Sequence, residues 1–142
     1  MNKLIHRLCV IFTLLLISAC ATSQPASPEP TDFQQLRISN VGDTNIQDLT
    51  IVVPGTTTAV LTRINFGNID SGQTTEYQTV PGGVYRFSAY EYTVDGETVF
   101  QAVMDWVGEE PLPGTQFTYQ IALDEMKVKG DQIHLVNVLT DS

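Results

Sequence analysis

From Leu36 onward, apolar residues return at every second position, and clusters of Gly, Pro, Asn and Asp cut this alternation into runs of strand length. Leu36 and Ile38 alternate with polar neighbours until Asn40-Val41-Gly42-Asp43 interrupts them. Leu49, Ile51 and Val53 then alternate up to Pro54-Gly55, and Val60, Thr62, Ile64 and Phe66 share one side up to Gly67. A fourth strand is expected over about Thr74 to Val80, closed by Pro81-Gly82-Gly83. No stretch has the three-to-four-residue spacing of an amphipathic helix.

A hairpin follows. "VYRFSAYEYTV" and "ETVFQAVMDWV" meet at Val94-Asp95-Gly96-Glu97, and Asp-Gly is a strong signal for a two-residue turn because both central residues must accept positive φ. Tyr85, Phe87 and Ala89 should face one way, and Arg86, Ser88, Tyr90 and Tyr92 the other. In the partner, Phe100, Ala102, Met104 and Trp106 share a side opposite to Val99, Gln101, Val103 and Asp105. After a proline-bearing loop, Gly108 to Gly114, come Phe117, Tyr119, Ile121 and Leu123, then Ile133, Leu135, Val136 and Val138. About seven to eight short strands at this spacing predict a single all-β domain, an immunoglobulin-like antiparallel β-sandwich, over 32–142.

The first residues follow a different logic. Lys3 and Arg7 precede an apolar run, Leu8 to Ile17, that ends in Ser18, Ala19 and Cys20. That run is roughly half the ~20 residues a membrane-spanning helix needs, and its order of charge, apolar core and small residues is that of an export signal. Ile17-Ser18-Ala19-Cys20 resembles the lipobox of bacterial lipoprotein signal peptides, with Ile17 where leucine is usual.

The resemblance implies removal of 1–19, a diacylglyceryl thioether on Cys20 and further acylation of the new amine. Two or more acyl chains hold a protein on a membrane far more firmly than one. Ala21 in place of Asp implies, for an envelope with two membranes, the outer membrane. Residues 20–31 would then be the lipidated cysteine and a tether of Ser and Pro, reaching up to about 30 Å when extended. Cys9 lies in the removed segment, so the mature chain keeps a single thiol and no internal disulfide.

Charge excludes one class of partner. The chain has 7 basic and 16 acidic residues, and loss of Lys3 and Arg7 takes its formal charge from −9 to −11. Arg37, Arg63, Arg86, Lys127 and Lys129 are scattered, whereas phosphate binding needs clustered cations, so nucleic acid is not expected.

Within the domain, "ISNVGDTNIQDLTIVV" and "FGNIDSGQTTEY" resemble the Asn-x-Gly strand pair and Ile-x-x-Gly-x-Thr turn of bacterial Ig-like surface modules. "VPGGVYRFSAY" is similar to the Pro-Gly-x-Tyr hairpin of prealbumin-like sandwiches. Such motifs encode turns and pairing, so they imply a fold and no activity.

Catalytic material is sparse. His134 is the one histidine left in the mature chain, no Gly-x-Ser-x-Gly elbow occurs, and Ser71 in "DSGQT" has the character of a turn residue. Zinc sites want several Cys or His, which the chain lacks. Asp43, Asn45 and Asp48, and separately Asp105, Glu109 and Glu110, offer the loop oxygens calcium takes; neither group has the ordered EF-hand pattern, and Asx turns and solvation account for both. No cofactor is expected.

Tyr77, Tyr90, Tyr92 and Trp106 are the candidate binding surface, able to stack on sugar rings or meet an apolar protein face if their side of the strands stays wet. The expected function is a non-catalytic envelope module, held to the membrane through Cys20, that binds an envelope protein or glycan. The alternatives are a small envelope hydrolase using His134 or a carboxylate pair, and a structural accessory that pairs with its own copy through an edge strand.

Overall fold

The computed structural model describes residues 33–54, 61–103 and 108–141. The signal segment 1–19, Cys20 with its tether, Val60, Met104, Asp105 and Trp106 lie outside the described residues.

Among the described residues eight strands form: β1 (Phe33–Asn40), β2 (Ile46–Pro54), β3 (Leu61–Ile69), β4 (Gln78–Pro81), β5 (Ala89–Val94), β6 (Glu97–Gln101), β7 (Gln116–Leu123) and β8 (Ile133–Asp141). They make two four-stranded sheets, ordered β4-β1-β7-β8 and β3-β2-β5-β6. The chain is thus the all-β, single-domain sandwich that the alternation predicts.

One feature departs from the expected antiparallel pattern: β1 runs parallel to β7, from Gln35 beside Gln116 to Asn40 beside Ile121. The first strand is inserted between β4 and β7, far from its neighbours in sequence, and no hairpin constrains its direction.

Period-two side chains build the core. Leu36, Ile38, Phe117, Tyr119 and Ile121 from the first sheet meet Leu49, Ile51, Val53, Ile64, Phe66, Tyr90 and Tyr92 from the second. Each fully buried aliphatic or aromatic side chain contributes roughly 1.5 to 3 kcal/mol of transfer free energy. The Asp95-Gly96 turn has the expected geometry, with φ of 54° and 76° at its two residues.

Three strands are shorter than the alternation predicts; the sixth ends at Gln101, before Ala102 and Val103. The fifth starts at Ala89, not at Val84. Between them the backbone finds partners other than a neighbouring strand: Val84 N–H donates to the Gln34 side chain, the Val84 carbonyl accepts from Leu112 N–H, and the Tyr85 carbonyl accepts from the Tyr119 hydroxyl. The fourth starts at Gln78; upstream, Thr74 makes one isolated bridge to Ser39.

Candidate functional site

Two members of the expected tyrosine surface are interior. Tyr90 and Tyr92 are 3% and 1% exposed and belong to the core between the sheets. This corrects the sequence-based assignment: the side of β5 that carries them faces the other sheet, and the wet side carries Glu91 and Thr93 instead.

Tyr77 does lie outside, but its ring is occupied. The Arg37 guanidinium sits 4.6 Å from the ring centroid, and the Tyr77 hydroxyl donates to Asp141 Oδ2 at 2.7 Å. Arg37 Nε donates to Thr118 Oγ1 at 2.8 Å, and Thr118 in turn donates to Asp141. The Arg37 and Asp141 charges are 3.5 Å apart. Together these groups bind the end of β8 to β1 and β7 across the outer face of the first sheet.

Burial by itself would raise the Asp141 carboxyl pKa. The hydrogen bonds from Thr118 and Tyr77, with the Arg37 charge, outweigh it and hold the carboxyl below its ordinary value. A depressed folded-state value stabilises the fold above the unfolded pKa, about 3.9, and the contribution is lost as pH falls through the folded value. An Asp141→Asn protein is therefore expected to lose less thermal stability than wild type on acidification from about pH 5 to about pH 2. Melting curves across that range are the check, and parallel acid limbs would remove Asp141 from the account.

Two of the candidate calcium ligands, Asn45 and Asp48, are used within the protein. Asn45 Oδ1 accepts from Ser71 N–H at 2.8 Å, and Asp48 Oδ2 accepts from Thr93 Oγ1 at 3.3 Å. Among the described residues no group of three or more His, Cys, Asp or Glu converges as a metal site. Ser71 Oγ donates to the Gly42 carbonyl, in keeping with its turn character. His134 stands exposed on β8 opposite Ala122.

One region that alternation does not single out emerges from the topology. β1 begins at Phe33, and at the opposite end of the sandwich four connections gather: 41–45, 70–73, 95–96 and 124–132. Asn40, fully buried, ties the first of them inward. Its amide donates to the Thr44 and Ile69 carbonyls, while its Oδ1 accepts from Gly42 N–H.

The 124–132 connection is closed on itself. Asp124 N–H donates to the Gln132 carbonyl, Met126 N–H to Asp124 Oδ1, Lys127 N–H to the Asp124 carbonyl and Asp131 N–H to the Val128 carbonyl. Lys129 anchors it to the hairpin tip, 3.4 Å from Asp95 and 3.1 Å from Glu97. Those two bonds raise the Lys129 pKa.

This hydrogen-bonded turn holds Met126 and Val128 out in solvent, at 93% and 80% exposure. Around them stand Asp95, Glu97, Glu125, Lys127 and Asp131. A sequence signal for it exists: Lys127 and Lys129 are the only lysines after Lys3, and they alternate with Met126 and Val128 between acids.

The fold and this turn define the molecule at the level of a β-sandwich with an apolar-tipped loop at one end. No protein-family model, curated protein or solved structure matches the chain.

Proposed function

We propose that the protein is a lipid-anchored envelope lipoprotein whose sandwich is a non-catalytic binding or assembly module for an envelope protein or glycan. Cys20 is the anchor, and the described domain starts thirteen residues later at Phe33, at the end of the sandwich opposite the 124–132 turn. A chain tethered there faces the membrane with its Phe33 end and presents the turn outward.

Met126 and Val128 carry the reading. The closed turn fixes the backbone that carries these two apolar side chains, which lowers the backbone ordering cost of docking, and methionine is enriched where protein partners bury their central contacts. The surrounding acids suit a partner with basic residues at its rim.

The strand order differs from that of the immunoglobulin sandwich. In the immunoglobulin sandwich the first, second, fourth and fifth strands share a sheet, whereas here the second and fifth lie opposite the first and fourth.

The test combines anchor and surface. Cells expressing the protein are fed a traceable fatty acid and then crosslinked. Wild type should take up the label and yield a discrete crosslinked product. Cys20→Ala should lose both the label and membrane attachment, and Met126→Asp with Val128→Asp should keep the label and lose the product. An unlabelled wild type sinks the anchor, and a product that survives the double substitution sinks the turn as the docking element.

A further inference from the structure

Apolar side chains are also exposed at the end of the sandwich opposite the 124–132 turn, where the chain enters the fold. Phe33 is 66% and Leu61 48% exposed. They open β1 and β3, and two bonds between the sheets fix that these strands run the same way. Asn40 Nδ2 donates to the Ile69 carbonyl at 3.2 Å, where both strands end, and Gln78 Nε2 donates to the Asn65 carbonyl at 2.8 Å, further back. Phe33 lies beside Pro81, three residues past Gln78 on β4, and Leu61 lies four residues before Asn65 on β3. Both therefore stand at one corner, about 10 to 13 Å beyond the Gln78 bond.

Charge is divided between the two ends. Asp43, Asp70, Asp95, Asp124, Glu125 and Asp131 sit on the four connections of the far end, with Lys127 and Lys129 among them. The connection from β4 to β5, 82–88, carries a single charge, Arg86, exposed with its guanidinium 5.6 Å from the Phe87 ring centroid. Among the described residues, the acids at the Phe33 end are Glu109 and Glu110, on the connection from β6 to β7, and Asp141, which Arg37 and Tyr77 hold.

We propose, on the anchored reading above, that this corner is a membrane-contact surface: Phe33 and Leu61 enter the headgroup layer of the bilayer that holds Cys20, with Arg86 beside a lipid phosphate. Thirteen residues separate Cys20 from Phe33, and a coil of that length spans about 20 Å. The headgroups thus stay at an effective concentration in the millimolar range, where a contact too weak to bind a free protein is populated. Two exposed side chains are little beside the ~800 Å² that each partner of a stable protein interface buries, whereas Phe and Leu are residues that seat surface-bound segments in the interfacial layer. Anionic lipid repels the acidic far end, which turns the Phe33 corner toward the bilayer. The sandwich then stands upright on its tether, with Met126 and Val128 pointed away from the membrane.

The experiment uses the full chain as cells make it, fed a traceable fatty acid, isotopically labelled, extracted in mild detergent and placed at one or two copies in nanodiscs of phosphatidylethanolamine and phosphatidylglycerol. A gadolinium-chelate headgroup on a small share of the lipids broadens amide resonances close to the surface. The amides of Phe33, Leu61 and Val84 should be broadened about threefold or more over those of Asp95 and Met126. Phe33→Ser combined with Leu61→Ser should keep the fatty-acid label and the melting temperature and lose most of that contrast, since both side chains are exposed and the tether is intact. Each substitution taken singly, a smaller perturbation of the fold, should lose part of it. Equal broadening at both ends, or a contrast unchanged in these variants, overturns the membrane contact while leaving the anchor in place. A contrast that appears with two copies per disc and is absent with one assigns the corner to a second copy and overturns the contact as well. A chain that takes up no fatty acid overturns the anchored reading itself, an outcome known before any resonance is read.

Discussion

Replacing Gln101 with leucine is expected to destabilise the fold by about 3 kcal/mol, even though leucine has a similar volume and a more apolar surface. Gln101 is buried on β6, and its amide reaches across to Ile133, the first residue of β8 in the other sheet. Oε1 accepts from Ile133 N–H at 2.9 Å, and Nε2 donates to the Ile133 carbonyl. The Tyr92 hydroxyl lies 3.3 Å from Gln101 Oε1 and 3.4 Å from Gln132 Oε1, closing a small buried network.

The side chain therefore does for Ile133 what a neighbouring strand would do, and it does so between sheets. Leucine would fill the space yet strand both backbone groups away from water, the costly case for a hydrogen bond. Urea unfolding is the measurement. A loss of about 3 kcal/mol corresponds to a melting point lower by more than 10 °C in a domain of this size. A loss below about 1 kcal/mol would mean that water or backbone movement replaces the amide.

Gln34→Ala is expected to have a comparable effect by a different route. Gln34, on β1 and buried, accepts from Val84 N–H at 3.0 Å and donates to the carbonyls of Gly114 at 2.9 Å and Leu112 at 3.2 Å. Both amide hydrogens and the amide oxygen are spent on two loops that have no strand partner there. Without it, one buried N–H and two half-buried carbonyls lose their partner and a small cavity opens, for a combined cost of about 2 to 3 kcal/mol.

The loss should be local as well as global. Amide exchange at Val84 and Leu112 should accelerate first, because the bond between those residues joins the same two loops, while the Ile133 amide keeps its protection. Uniform acceleration would show instead that Gln34 supports the whole domain and not this corner.

The candidate site was less legible than the fold. Tyr77, Tyr90 and Tyr92 stand out in the sequence because aromatic residues on strands serve both cores and binding faces, and alternation does not say which. Two of them went to the core and the third to a clasp with Arg37 and Asp141. Met126 and Val128 fall in a short turn where no period exists, and alternation does not single them out; their spacing with the two lysines is the one local signal.

Local order in the chain was enough to determine strands, turns and a single all-β domain, since side-chain alternation and positive-φ turns depend on a residue and its near neighbours. Asp95-Gly96 is the clearest case. The tertiary structure alone decided that β1 lies parallel to β7, and which side of the β5-β6 hairpin is wet. There Phe100 points to solvent and Gln101 inward. The physical reason is that alternation assigns neighbours to opposite faces but leaves the faces unlabelled. The label came from the far sheet, whose strand end at Ile133 offered an N–H and a carbonyl that an amide satisfies and a phenyl ring does not.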